Sequence, residues 1–299
     1  MKIVVFDLDE TLGYFVEFGI FWDCLNLYLS KNNTEQHQQH QQYQQYEELE
    51  QSEFIHILDL YPEFLRPNIM NILDYLKNKK QTQCCQKLMI YTNNQGHQNW
   101  RNYIINYFET KMKYKLFDKI ISAFKINGKR VEVCRTTNNK TYDDFIRCTM
   151  LPKNAEICYL DDNFYPEMMH ESVYYINIKP YIHALSFNEM YSRFLESNLG
   201  KTLIVEGEGK EHFINFMGKN IKLYNFQEVK KDKEDYKIDT ILSKRILLHL
   251  YEFFEKTDNK YNKNGDNDND NDNYKISNKT KTLKKYYNNK AKNKSRRHK

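Results

Sequence analysis

Apolar positions along this chain fall into two spacings. Unbroken runs rich in β-branched and aliphatic residues, Ile3-Val4-Val5-Phe6, Leu88-Met89-Ile90-Tyr91 and Ile157-Cys158-Tyr159-Leu160, have the length of buried strands. Residues 119–123 and 173–178 read as two more. Between these runs the apolar residues recur every three or four positions, the period of a helix buried on one face. Ile69, Ile72, Leu73 and Leu76 mark one such helix, Trp100–Met112 a second and residues 141–150 a third. Ser186-Phe187-Asn188-Glu189 has the Ser-to-Glu spacing of a capping box and starts a helix through Leu195. Ile246, Leu247, Leu250, Phe253 and Phe254 make residues 241–254 a terminal amphipathic helix. Strands alternating with helices predict an α/β chain built on a doubly wound parallel sheet. Residues 201–239 carry the weakest pattern and read as strands beside the core, with no site.

Two stretches depart from this alternation. Residues 14–62 form an insertion after the first strand, opening with Phe15, Phe18, Ile20, Phe21, Trp22, Leu25, Leu27 and Leu29. That suffices for a small element packed on the core and falls short of a globular cap. Residues 35–51, rich in Gln and His, follow it. His37 and His40 stand three apart, but no cysteine or further ligand accompanies them, so the stretch reads as a solvated loop or helix extension. Beyond Lys256 the chain turns to Asn, Asp and Lys, with an Asn/Asp repeat from Asn264 to Asn273. Such a composition cannot bury enough apolar surface to fold and predicts disorder. The repeat also lacks the closing Glu and flanking helices of a calcium loop. The expected organisation is a core at 1–199 holding the insertion, an extension at 200–256 and a disordered tail at 257–299.

Charge changes the picture only at the end of the chain. The formal net charge of the 299 residues is +5, yet ten Lys or Arg and no acid lie between Ser277 and Lys299, so the remainder is acidic. The basic tail is a candidate for nucleic acid or an acidic partner, and compositional drift toward Asn and Lys accounts for it equally well. Cys24, Cys84, Cys85, Cys134, Cys148 and Cys158 show no metal-ligand spacing and read as free thiols of an intracellular protein, cytoplasmic or nuclear. No signal peptide precedes the first strand and no run reaches transmembrane length, so no membrane partner is expected.

The candidate chemistry sits where the strands end. Asp7 and Asp9 follow the first strand two positions apart, with Thr11 two further on. Carboxyl ends of strands in open α/β sheets are where ligands bind, and an aspartate there can act as a nucleophile that forms an aspartyl-phosphate. The second strand runs into Thr92-Asn93-Asn94-Gln95-Gly96, a hydroxyl followed by an amide-rich turn. The Ile157 strand runs into the acid pair Asp161-Asp162. Two lysines compete for the role of charge partner: Lys129 in Asn127-Gly128-Lys129, and Lys140 before the helix that feeds the acid pair.

Taken in order, these pieces resemble the haloacid dehalogenase (HAD) superfamily, in the form of its FCP/SCP (NLI-interacting-factor-like) phosphatase branch. Asp7-Leu8-Asp9-Glu10-Thr11-Leu12 resembles motif I and Leu65-Arg66-Pro67 the branch's Arg-Pro helix. The Thr92 strand resembles motif II and the Asp161-Asp162 strand motif IV. The resemblance implies a HAD-like Rossmannoid fold and a Mg2+-dependent phosphatase. Asp7 would be nucleophile and metal ligand, and Asp9 the general acid and then base, its carbonyl also reaching the metal. Thr92 and Lys140 would complete the catalytic set, Thr11 and Asn93 would help bind substrate, and Asp161 and Asp162 would hold the metal, Asp162 foremost. The implied substrate is a phosphoprotein bearing phosphoserine or phosphothreonine. The Asn93-Asn94 turn departs from that branch, and a Thr-Asn opening occurs in polynucleotide 3'-phosphatases. A nucleotide, polynucleotide-end or small-molecule phosphatase therefore stands as the alternative, with an inactive HAD-fold binding module as the third reading.

Overall fold

Five parallel strands lie in the order β3-β2-β1-β6-β7 in the computed structural model, with β1 (Lys2–Phe6) at the centre. The structure describes residues 1–37, 49–96, 99–152, 154–204, 207–227, 229 and 231–255. Residues 38–48 of the Gln/His-rich stretch, with His40, the side chain of His37, and the whole 257–299 tail lie outside them. β1 pairs with β2 (Lys87–Tyr91) on one side and with β6 (Glu156–Asp161) on the other. β3 (Lys119–Ile121) and β7 (Val173–Asn177) form the edges. The chain therefore builds outward from β1 in one direction and then resumes on its other side. That reversal makes the crevice above the carboxyl end of β1 the switch point of the sheet.

Alternation along the strands sorts the core into two layers. Ile3, Val5, Met89, Tyr91, Ile157 and Tyr159 point to one face, where α5 (Tyr142–Thr149) covers them with Phe145 and Cys148. Val4, Phe6, Leu88, Ile90, Cys158 and Leu160 point to the other, larger layer. That layer is built from α1 (Val16–His37), α2 (Gln51–Leu58), α3 (Ile69–Gln81) and α4 (Trp100–Met112), joined by α6 (Phe187–Glu196). In residues 14–62, Phe18 of α1 meets Phe54 of α2 edge-on at 5.3 Å, and both are buried.

The described residues of 201–239 hold helices and no strand, which corrects the expected strands. α7 (Asn198–Leu203) and α8 (Glu208–Ile221) precede α9 (Lys233–Glu255). Phe213, Met217 and Ile221 recur at four-residue spacing, and Phe213 packs edge-on against Tyr28 of α1 at 5.1 Å. The buried stripe of α9 runs Asp239, Ser243, Ile246, Leu250, with Phe253 and Phe254 after it. Its first two members are polar, so an apolar count starts this helix too late. Lys2 closes the arrangement by donating to the carbonyls of Phe253 and Phe254, capping the end of α9. Met1–Glu255 forms one compact unit, so the 200–256 extension is continuous with the core up to Glu255.

Two further features lay outside the reading of the sequence. β4 (Lys125–Ile126) and β5 (Lys129–Arg130) form a hairpin on Asn127 and Gly128, both at positive φ (49° and 77°), the backbone of a primed two-residue turn. Cys134 and Cys148 are joined in a disulfide, with 5.0 Å between their Cα atoms. The loop before α5 folds back along the helix and brings together two cysteines that no spacing rule connects. The expectation of six free thiols is therefore wrong for this pair, and a reducing compartment loses that premise. Cys24, Cys84, Cys85 and Cys158 are free. No described helix is long and apolar enough to cross a membrane.

Candidate functional site

The switch point is shaped by a tight turn after β1. The Asp7 N–H still belongs to the sheet, donating to Leu160 O at 2.9 Å. The chain then reverses, with Leu12 N bonded to Leu8 O at 2.9 Å and Glu10 N to Gly13 O at 2.8 Å. Glu10 adopts a left-handed φ of 55° in doing so. Gly13 is required here, because a Cβ would lie 2.6 Å from the carbonyl oxygen of Phe64. Buried Arg66 clamps the turn from outside, donating Nε to Thr11 O at 2.6 Å and an Nη2 proton to Glu10 O. The Arg-Pro motif thus holds the loop that carries Asp7 and Asp9 in place.

Three carboxylates converge above β1 and β6. Asp7, Asp161 and Asp162 each present an oxygen within 4.8 Å of the other two. Lys140 lies among them, its Nζ at 2.6 Å from Asp7 Oδ1 and at 2.6 Å from Asp161 Oδ2. Thr141 follows as the N-cap of α5, its Oγ1 accepting from Asp144 N at 3.1 Å, and this fixes where Lys140 leaves the loop. Lys129 is exposed on the hairpin. Of the two candidate lysines, only Lys140 is bonded to the acids.

The charges do not balance. Burial pushes the Asp161 carboxyl up to about 6 even though Lys140 opposes the shift. Burial, then the charges of Asp7 and Asp161, push Asp162 up to about 7. Lys140 itself is held above the ordinary lysine value, because the two carboxylates outweigh a burial that alone would lower it. One ammonium thus faces a cluster of acids whose charged forms repel each other. A hard divalent cation bound by oxygen donors would supply the missing positive charge, so the residues present fit a Mg2+-type site. Asp161 already accepts from Lys140, from the Tyr159 hydroxyl and, at 2.9 Å, from Asn163 N. Half-buried Asp162 accepts from Thr11 Oγ1 at 3.2 Å and from Asn163 Nδ2 at 2.9 Å. Thr11 is buried with its hydroxyl donated to that acid.

Asp9 points elsewhere. Its carboxylate is outside the three-acid group and accepts from Asn94 Nδ2 at 2.8 Å. Burial and the charge of Asp7 push it up to about 6, with the Asn94 bond pulling the other way. Asn94 is held in turn: its Oδ1 accepts from Gly96 N at 3.0 Å, and its own N–H donates to Thr92 Oγ1 at 3.0 Å. Thr92 lies at the end of β2 with no exposed surface, and Asn93 donates to the Tyr165 hydroxyl at 3.1 Å. Asp7, Asp9, Thr92, Lys140, Asp161 and Asp162 therefore share one end of the sheet.

Sequence reasoning missed three supports. Asn94, inside the amide-rich turn, orients Asp9. Tyr159 stands two positions before Asp161 on the same strand face, a spacing that signals its contact with that acid. Arg135 gave no signal in the sequence. It is fully buried and donates to the carbonyls of Ser122 at 2.8 Å, Thr92 at 3.2 Å, Asn138 at 3.0 Å and Asn139 at 3.1 Å, with Tyr91 beneath it at 4.9 Å. One guanidinium thereby ties the end of β2 to the loop that delivers Lys140. Comparison with known proteins finds no family model, no curated protein and no solved structure that matches the chain.

Proposed function

We propose that this chain is a phosphatase of the HAD type, hydrolysing phosphomonoesters through an aspartyl-phosphate on Asp7. The observation that supports this reading is the set of groups at the switch point. Asp7 is bonded to Lys140, an acid pair stands beside it, and a second aspartate two positions on is held separately by Asn94. In the first step an Asp7 oxygen attacks phosphorus, the bond from phosphorus to the leaving oxygen breaks, and the Asp9 carboxyl gives that oxygen its proton. In the second, Asp9 takes a proton from water as the water oxygen attacks phosphorus. The acyl-phosphate bond then breaks to free phosphate and Asp7. A carboxyl pushed up to about 6 suits a group that must both give and take a proton.

Lys140 balances negative charge on Asp7 and the phosphoryl group, and the Thr92 hydroxyl and nearby backbone amides are the donors for phosphoryl oxygens. Asp7, Asp162 and the Asp9 carbonyl would hold Mg2+, with Asp161 in support, and the ion would neutralise phosphoryl oxygens. Phosphoserine or phosphothreonine in a protein is the substrate that the FCP/SCP resemblance favours.

Magnesium-dependent phosphate release by wild type and by Asp7→Asn tests the reading, with an aryl phosphate, phosphoserine peptides, nucleotides and 3'-phosphorylated oligonucleotides as substrates. The expected result is turnover that Asp7→Asn abolishes while its circular dichroism stays that of wild type. Appreciable turnover in a folded Asp7→Asn protein would sink the mechanism. A preference for nucleotides or oligonucleotides over peptides would replace the protein substrate with the alternative.

A further inference from the structure

The first turn of α4 carries a cation that none of this chemistry uses. Arg101 is only 7% exposed, and its Nη1 is buried without a hydrogen-bond partner. Arg66 and Arg135, the other buried arginines, donate to backbone carbonyls and hold loops in place, Arg135 with only its Nε left open. Arg101 braces nothing of that kind among the described residues. A buried donor left open in a native fold calls for an explanation. An arginine suits one in particular, since its planar fork of donors matches the oxygens of a carboxylate or phosphate.

Its position narrows the choice. α4 begins just beyond the Asn93–Gly96 turn, the segment through which Asn94 holds Asp9. Burial lowers the Arg101 guanidinium from its ordinary value, and the charges of two carboxylates, Glu132 and then Asp9, oppose that shift. Both are already occupied: Glu132 accepts from Ser122 N at 3.3 Å, and Asp9 accepts from Asn94 at 2.8 Å. The helices that carry Arg101 and follow Lys140 also pack on opposite faces of the sheet. α4 packs in the larger core layer, whereas α5, which Lys140 precedes, packs in the smaller one. Lys140 serves Asp7, where the phosphoryl group would sit. Of the site acids, Asp9, the group that would protonate the departing oxygen, is the one whose charge acts on Arg101.

We propose that Arg101 is a specificity-determining residue that binds an anionic group carried by the leaving alcohol. The substrate class is then a phosphomonoester with a second phosphate or a carboxylate near the scissile ester. This inference rests on the phosphatase reading of the site.

Three substrates with similar short leaving alcohols test it: 3-hydroxypropyl phosphate, 2-carboxyethyl phosphate and propane-1,3-diol bisphosphate. Their kcat/KM values are measured for wild type, Arg101→Gln and Arg101→Lys at low ionic strength, with an aryl phosphate as the check on the phosphatase reading itself. Wild type is expected to prefer one or both anionic substrates to the hydroxypropyl ester by tenfold or more. Arg101→Gln should collapse that ratio toward one, and Arg101→Lys should keep part of it. Whether carboxylate or phosphate is favoured identifies the anion. An indifferent wild type would overturn the proposal without any variant. So would an Arg101→Gln protein that slows all substrates equally and keeps the ratio. Absence of Asp7-dependent turnover on the aryl phosphate as well would instead count against the phosphatase reading.

Discussion

At the scale of single residues, the site depends on side chains that hold other side chains. Asn94 is the clearest case, since its amide is both the hydrogen-bond donor to Asp9 and the acceptor for Gly96 N. Asn94→Ala frees the Asp9 carboxylate to rotate without touching Asp7 or Lys140. It should lower kcat about 10- to 100-fold with a smaller change in KM, the signature of a lost general-acid geometry. Steady-state kinetics on an aryl phosphate decide this, and equal changes in both constants would count against it. Arg135→Met has a different expected signature. Four carbonyls lose their donor at once, so unfolding free energy should fall by about 3 kcal/mol or more, with activity falling alongside. Urea unfolding followed by circular dichroism would measure that loss.

At the scale of elements, the loop between β5 and α5 is fastened twice. Asp144 in the first turn of α5 accepts from Thr136 N at 2.8 Å and Thr136 Oγ1 at 2.9 Å, and it pairs with Arg147 at 2.8 Å. Burial alone would raise its carboxyl; these donors outweigh burial and hold it below the usual aspartate range. A depressed folded value means that the stabilisation is present above the unfolded aspartate value, about 3.9, and is lost as pH falls through the folded one. Asp144→Asn should therefore cost about 1.5–3 kcal/mol at pH 7 and much less at pH 3, measured by denaturant unfolding at both. The second fastening is the disulfide, which closes a loop of 14 positions. Replacing Cys134 and Cys148 by Ala should cost about 2–3 kcal/mol on the chain-entropy account. Unaltered stability of that double variant would show that the loop is already held by Asp144 and Arg135.

For the whole molecule, an unbalanced acid cluster at the end of the sheet should make stability depend on cations. Millimolar Mg2+ should raise the melting temperature through preferential binding to the folded chain, and Asp162→Asn should remove most of that rise. Scanning calorimetry with and without the ion checks it. The larger scale was also the most legible from the sequence. β1, β2 and β6 stand as unbroken apolar runs because they are buried on both faces, and Trp100–Met112 matches α4 end to end. That the strand-end acids and Lys140 come together could be read because each follows directly from a strand end or precedes a helix. What stayed hidden was set by contacts between distant segments. The buried stripe of α9 starts on Asp239 and Ser243, and the open donor of Arg101 has no local signature. The bond by which Thr11 donates to Asp162 likewise spans 151 positions.

The central place of β1 also has a kinetic side. Its neighbours are far along the chain: Ile3 pairs with Lys87 and with Ile157, and Lys2 reaches Phe253, 251 positions away. No short segment can therefore nucleate the middle of this sheet, and loop closure must come before the contacts that reward it. Until β6 is in place, the Ile-Val-Val-Phe strand has at least one bare edge, a template on which another copy of the chain can pair. Refolding should accordingly be slow and sensitive to protein concentration, with aggregation competing most strongly in fragments that end before residue 156.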